Sequence, residues 1–217
     1  MELEIWSDIA CPWCYIGKRR LEKALAQFEH ADEVAITWRS FELDPQAPAE
    51  REGELAAHIA RKYGIGVEQA REAQRGLTAT ALGEGLTFDF AAARSGNTFD
   101  GHRLVHLAAR HGLQAAMKER LLRAYFTEGR LISDPRTLIE TGVEVGVPAD
   151  EIGELVISDQ FAAEVRADEQ AAAELGISGV PTFIVERRVG VTGAQPPEML
   201  LEMLRRGWAQ RSAPAIR

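Results

Sequence analysis

Only two cysteines stand among 217 residues, which excludes a framework of several disulfides. No run of eighteen residues is free of charge, so no stretch reads as a membrane-spanning helix. A basic surplus is missing as well. Lys and Arg number 25 against 33 Asp and Glu, a net charge of −8, the wrong sign for neutralising phosphates or anionic headgroups. Nucleic acid and membrane partners are therefore not expected. The start, Met1-Glu2-Leu3-Glu4, has neither the basic end nor the apolar run of a secretory signal, and the expected location is the cytoplasm. Internal repeats and low-complexity tracts are absent too. What remains, 46% hydrophobic and 27% charged residues, can bury the core of one large domain or of a domain carrying an insertion.

Apolar periodicity divides the chain into three. Residues 2–7 alternate as a short strand, and the pattern breaks at Asp8 to Pro12. A helix follows, with Cys14, Leu21, Leu25 and Phe28 on one face. Residues 34–43, rich in Ile36, Thr37, Trp38 and Phe41, read as a second strand, so the order suggests a parallel βαβ unit. From 49 to 174 the composition turns to Ala, Leu, Glu and Arg, and helix follows helix. Asp134-Pro135 has the form of an N-cap before a first-turn proline. After Gly176, residues 182–186 and 189–192 flank Arg187-Arg188 as an antiparallel pair. Pro196-Pro197 then opens a last helix with Met199, Leu200, Met203, Leu204 and Trp208 as its apolar stripe, and residues 212–217 read as a frayed tail. Trp6, Trp38, Phe41, Phe183 and Trp208 are expected in or near the core.

The two cysteines form a C-x-x-C motif, Cys11-Pro12-Trp13-Cys14. So short a loop gains little chain entropy from a structural bridge, which favours reactivity or metal binding. Cys11 falls where strand gives way to helix, near unpaired N–H groups and the positive end of the helix dipole, which favours its thiolate. Cys14, one turn on and more enclosed, is expected to resolve a mixed disulfide. Asp8 reads as a cap for the helix, or as a like charge that raises the pKa of Cys11. His102 and His106 are four residues apart, and with the cysteines they formally supply a zinc set. The distance from Cys14 to His102 far exceeds finger spacing, so no metal is expected.

Four segments carry a resemblance: Cys11-Pro12-Trp13-Cys14-Tyr15-Ile16-Gly17-Lys18, Asn97-Thr98, Gly179-Val180-Pro181-Thr182-Phe183 and Gly193-Ala194-Gln195-Pro196. Over nearly the whole chain they resemble the FrnE-like branch of the DsbA family. The resemblance implies an α/β thioredoxin fold with a large all-helical insertion. Residues 1–48 and 175–217 would form the thioredoxin-like domain, and 49–174 the insertion, its last helix packing on the sheet. It also implies a redox-active Cys11/Cys14 pair in a thiol-disulfide oxidoreductase and a cis peptide before Pro181. Pro12, Trp13, Asn97, Thr98, His102, Val180 and Pro181 would line the substrate site, with Val180 offering its backbone. The partners are protein or small-molecule thiols and disulfides. No bound cofactor is expected, glutathione is a candidate co-substrate, and homodimerisation enters only by analogy.

A sister group of glutathione-dependent isomerases of aromatic acids shares the Asn-Thr and Val-Pro segments but typically carries serine at the position of Cys11. Cysteine at both ends of the motif favours redox chemistry, with the isomerase as the alternative. A peptide-binding, chaperone-like module is a third reading, because peptide binding and thiol exchange would use one surface. The second C-x-x-x-x-C motif of some FrnE-like proteins is absent.

Overall fold

The computed structural model describes residues 1–211, so the tail expected at 212–217 lies outside the described residues. The first strand, β1 (Glu2–Ser7), is followed by α1 (Pro12–Leu25) and β2 (Ala35–Ser40). Seven helices come next: α2 (Leu55–Tyr63), α3 (Val67–Gly83), α4 (Phe99–Arg110), α5 (Gln114–Phe126), α6 (Pro135–Val145), α7 (Ala149–Val156) and α8 (Ala162–Glu174). The strands β3 (Thr182–Val185) and β4 (Val189–Thr192) and the helix α9 (Pro197–Gln210) complete the described chain. The four strands form one sheet in the order β2-β1-β3-β4, with β1 parallel to β2 and the other pairs antiparallel. The result is a mixed α/β fold, a four-stranded sheet with most of the remaining chain helical.

Alternation along β1 assigns its two faces. Leu3 and Ile5 lie opposite Val185 and Phe183 of β3, and this face is covered by α1 and α9. The helices approach closely because glycines stand at the contacts. A Cβ on Gly17 of α1 would meet Pro181 Cγ at 2.9 Å, and one on Gly207 of α9 would meet Val185 Cγ1 at 2.3 Å. On the other face the Trp6 indole N–H donates to the Asp168 carbonyl of α8 at 2.9 Å. The Asp168 carboxylate accepts from Ser40 N–H and Arg39, which ties α8 to β2. As the central strand, β1 is buried from Leu3 to Ser7.

Three departures from the sequence reading have physical causes. The second strand stops at Ser40 rather than residue 43, because the Leu43 N–H leaves the ladder to donate to Asp8 Oδ2 at 2.8 Å. Residues 85–98 form no regular helix. Tertiary contacts hold them instead: Phe88 stacks on Phe126 with centroids 4.7 Å apart, and the Asp89 and Asn97 N–H groups donate to Phe126 and Pro48 carbonyls. On α9, Leu200, Met203 and Leu204 are buried as expected, whereas Met199 turns to solvent. The Asp134 cap is present, its carboxylate accepting the Arg136 N–H. Among the described residues no helix is long and apolar enough to cross a membrane.

Candidate active site

At the end of β1 the chain turns through residues 8–10 and enters α1, with Cys11 at its N-cap and Pro12 at the first helical position. Cys14 N–H donates to the Cys11 carbonyl at 3.0 Å, which sets both side chains on one turn. Both cysteines are free thiols. Cys11 is 4% exposed and lines a cavity of about 540 Å³; Cys14, 1% exposed, does not reach it. The Val180–Pro181 peptide is cis, and the Cys11 thiol donates to the Val180 carbonyl with Sγ···O 3.6 Å. Pro12, Trp13, Thr98 and Val180 join Cys11 on the cavity wall, with Trp13 44% exposed at its edge.

Asp8 does not cap α1. Its buried carboxylate accepts from the Thr98 hydroxyl at 2.9 Å, the His102 Nε2–H at 3.3 Å and the Leu43 N–H at 2.8 Å. Burial works against its charge, and His102, the Leu43 N–H and the nearby Lys118 ammonium outweigh that effect and hold the carboxyl below its ordinary range. The sequence expects His102 at the cleft. It sits fully buried behind Asp8, where burial and the Lys118 charge hold it below the usual histidine range. Asn97 is spent on its own loop: Oδ1 accepts the Phe99 N–H at 2.8 Å and Nδ2 donates to the Ala47 carbonyl at 3.4 Å. His106 turns away from His102 to Ser40 and Asp168, so the two histidines of α4 serve different partners.

Lys118 escapes the sequence reading. It is 1% exposed on α5, and its ammonium donates to the Ser7 carbonyl at 3.0 Å. Burial pushes it down to about 8, against the opposing pull of charge on Cys14, Asp8 and Cys11. The available signal was a lysine set within the apolar stripe of Met117, Leu121 and Leu122.

The two thiols share a proton unequally. Burial opposes ionisation of Cys14, yet the neighbouring Cys11 thiol and the Lys118 charge lower it below the ordinary thiol range. Cys11 is raised well above that range by its hydrogen bond to Cys14, by burial and by the charges on Cys14 and Asp8. The sequence reading placed the anion on Cys11 through the helix dipole. The buried Lys118 ammonium lies near both sulfurs, and the coupled pair titrates as a unit, giving up its first proton more easily than its second.

Such a site can exchange disulfides: one sulfur faces a chamber, and a second lies behind it on the same turn. The comparisons agree. The family profile described as the DSBA-like thioredoxin domain matches residues 2–205. A crystal structure of a probable DsbA oxidoreductase from Streptomyces coelicolor is 42% identical, covers 100% of this chain and 94% of its own, and superposes with a TM-score of 0.94. Cytosolic disulfide reductase DsbM from Pseudomonas aeruginosa, solved with GSH, is 22% identical over 96% of this chain and 100% of its own, with a TM-score of 0.66. A 2-hydroxychromene-2-carboxylate isomerase shares the fold at 16% identity and TM-score 0.67, covering 98% of each chain. With cysteines, cis peptide and cavity in one place, the chain belongs to the DSBA-like thioredoxin domain family and is an oxidoreductase of the DsbA kind.

Proposed function

We propose that the protein is a cytosolic thiol-disulfide oxidoreductase of the FrnE-like branch, with Cys11 and Cys14 as its redox pair. The observation that carries this reading is the division of labour on α1. Cys11 alone of the two faces the cavity, and Cys14 lies behind it on the same turn with the buried Lys118 ammonium near both sulfurs. As Cys11 attacks a disulfide, its thiol proton passes to Cys14 and one substrate thiolate leaves. Cys14 then gives that proton to the departed thiolate, attacks the Cys11 sulfur and expels the second thiolate, which takes a proton from solvent, and the Cys11–Cys14 disulfide closes. The Val180 carbonyl accepts from the Cys11 thiol, and Trp13 and Thr98 line the same cavity, while Pro181 stands outside its lining. Glutathione, present with one structural neighbour, suits the role of co-substrate that returns the pair to the dithiol.

The test is dithiol-dependent reduction of insulin. Cys11→Ser is expected to abolish turnover, and Cys14→Ser to accumulate mixed disulfides visible by mass spectrometry. Unchanged turnover in both variants sinks the reading. Turnover of an aromatic acid with glutathione that survives loss of Cys14 would favour an isomerase instead.

A further inference from the structure

The exchange chemistry uses one corner of the cavity and leaves most of it unexplained. Its volume, about 540 Å³, is that of a small-molecule site. Leu55 and Ile59 from α2, Leu77 from α3 and Phe90 from the following loop give it apolar sides. An inserted polypeptide would carry backbone N–H and C=O groups that such sides cannot satisfy.

The polar groups are unevenly placed. Arg51, His58 and Lys62 line the cavity, the last two one turn apart on α2. Arg51 donates to His58 Nδ1 at 3.5 Å and is paired with Asp44, which offsets its charge. Asp8, the other acid of the lining, is already held by Thr98, His102 and Leu43. Burial and the positive charges of Arg51, Lys62 and Arg61 hold His58 below the usual histidine range, so it stands in the lining as a neutral ring and Lys62 supplies the positive charge at the α2 end of the chamber. A third observation is independent of charge. Gln74 of α3 lines the cavity at only 9% exposure, and its amide nitrogen has no hydrogen-bond partner among the described residues.

We propose that the cavity takes a small-molecule thiol or disulfide with an apolar, aliphatic or aromatic body and a carboxylate end. The body lies against Leu55, Ile59, Leu77 and Phe90, the carboxylate meets His58 and Lys62, and the sulfur reaches Cys11. Gln74 supplies a donor for an acceptor on the body. The inference rests on Cys11 being the exchanging sulfur. For a disulfide substrate, the Cys11–substrate bond forms as the substrate S–S bond breaks, and closure of the Cys11–Cys14 bridge frees the second half. The protein loses two electrons and two protons, and the substrate gains them as two thiols.

Stopped-flow reaction of the reduced full-length protein with three probes tests this: dithiobis(nitrobenzoate), aromatic with carboxylates; dithiodipyridine, aromatic without them; and methyl methanethiosulfonate, which is too small to use the cavity. The rate with the carboxylated probe is expected to saturate, half-saturating at about tenfold lower concentration than the uncharged aromatic probe. The small probe should react linearly. Ala73→Trp, which fills the chamber, should abolish saturation, its fold being checked by near-ultraviolet circular dichroism. Lys62→Met, at an exposed position, should narrow the gap between the aromatic probes. Linear rates with both aromatic probes, while the small probe labels Cys11, overturn the proposal and leave the exchange reading standing. If the small probe labels only Cys14, the exchange reading falls and takes the proposal with it.

Discussion

Two sides of the cysteine site are built on different terms. Behind the pair, α4 and α5 present Thr98, His102 and Lys118, all buried and all hydrogen-bonded to Asp8 or Ser7, within a core continuous from Leu3 of the sheet to Leu155 of α7. Across the cavity, α2 and the first half of α3 have their own small cluster of Ala56, Ala60 and Ala70 with Ile59, while Leu77 and Ala81 join the end of α3 to the main core. The ion pairs there, Arg71 with Glu54 and Glu68 and Arg75 with Glu68 and Glu72, are solvent-exposed and contribute little. The difference teaches where each task is placed. Fixed geometry around the sulfurs comes from the well-packed half, whereas α2 and the start of α3 form the less anchored wall of the chamber.

Hydrogen exchange tests that contrast most severely. Amides of α2 and the first half of α3 are expected to exchange about 100-fold faster than those of α4 and α5, through openings about 3 kcal/mol less costly. Equal protection would break the comparison. A smaller effect comes from the rigid side. Lys118→Met removes the buried positive charge beside Cys14 and should raise the first ionisation of the pair by about one unit, roughly tenfold less thiolate at neutral pH. The pH dependence of iodoacetamide alkylation reads this directly, and the variant should also lose an inflection near the Lys118 value of about 8. An unmoved midpoint would reduce Lys118 to packing.

The smallest effect concerns Glu42, buried beside Arg166 and Glu169, its carboxyl pushed up to about 7 by burial and by the charge on Glu169 against the pull of Arg166. A carboxyl raised on folding holds its proton longer in the native state. Its contribution is full below about pH 4.5 and is lost as pH climbs through 7. Because Arg166 is half-exposed, solvent reduces the effect, and Glu42→Gln should gain about 1 kcal/mol over wild type between pH 5 and 7.5. A stability difference that does not change with pH would refute this account.

Much of the fold was legible along the chain. Strand alternation marks Leu3, Ile5, Phe183 and Val185 as one face, and the proline starts of α1, α6 and α9 mark those helix beginnings. The general helical character of residues 49–174 does not extend to the stretch before α4, where contacts from elsewhere in the chain, such as Phe88 on Phe126, hold the backbone instead. Of the site, Cys11, Pro12, Trp13, Thr98 and Val180 meet at the cavity, while Asn97 and His102 stand behind its wall. Lys118 was illegible because a lysine in an apolar stripe gives no hint of which buried anion lies opposite it.

Local chemistry along the chain was enough to determine the reactive motif, the helix that carries it, the alternation of the sheet and the acidic balance, since each depends on neighbours within a few residues. Which sulfur faces the chamber, how large that chamber is, and which buried charges surround the pair were decided only in three dimensions. Lys118, Ser7 and Cys14 meet across more than a hundred positions of sequence. Electrostatic energy in a dry interior depends on distance through space and not on separation along the chain.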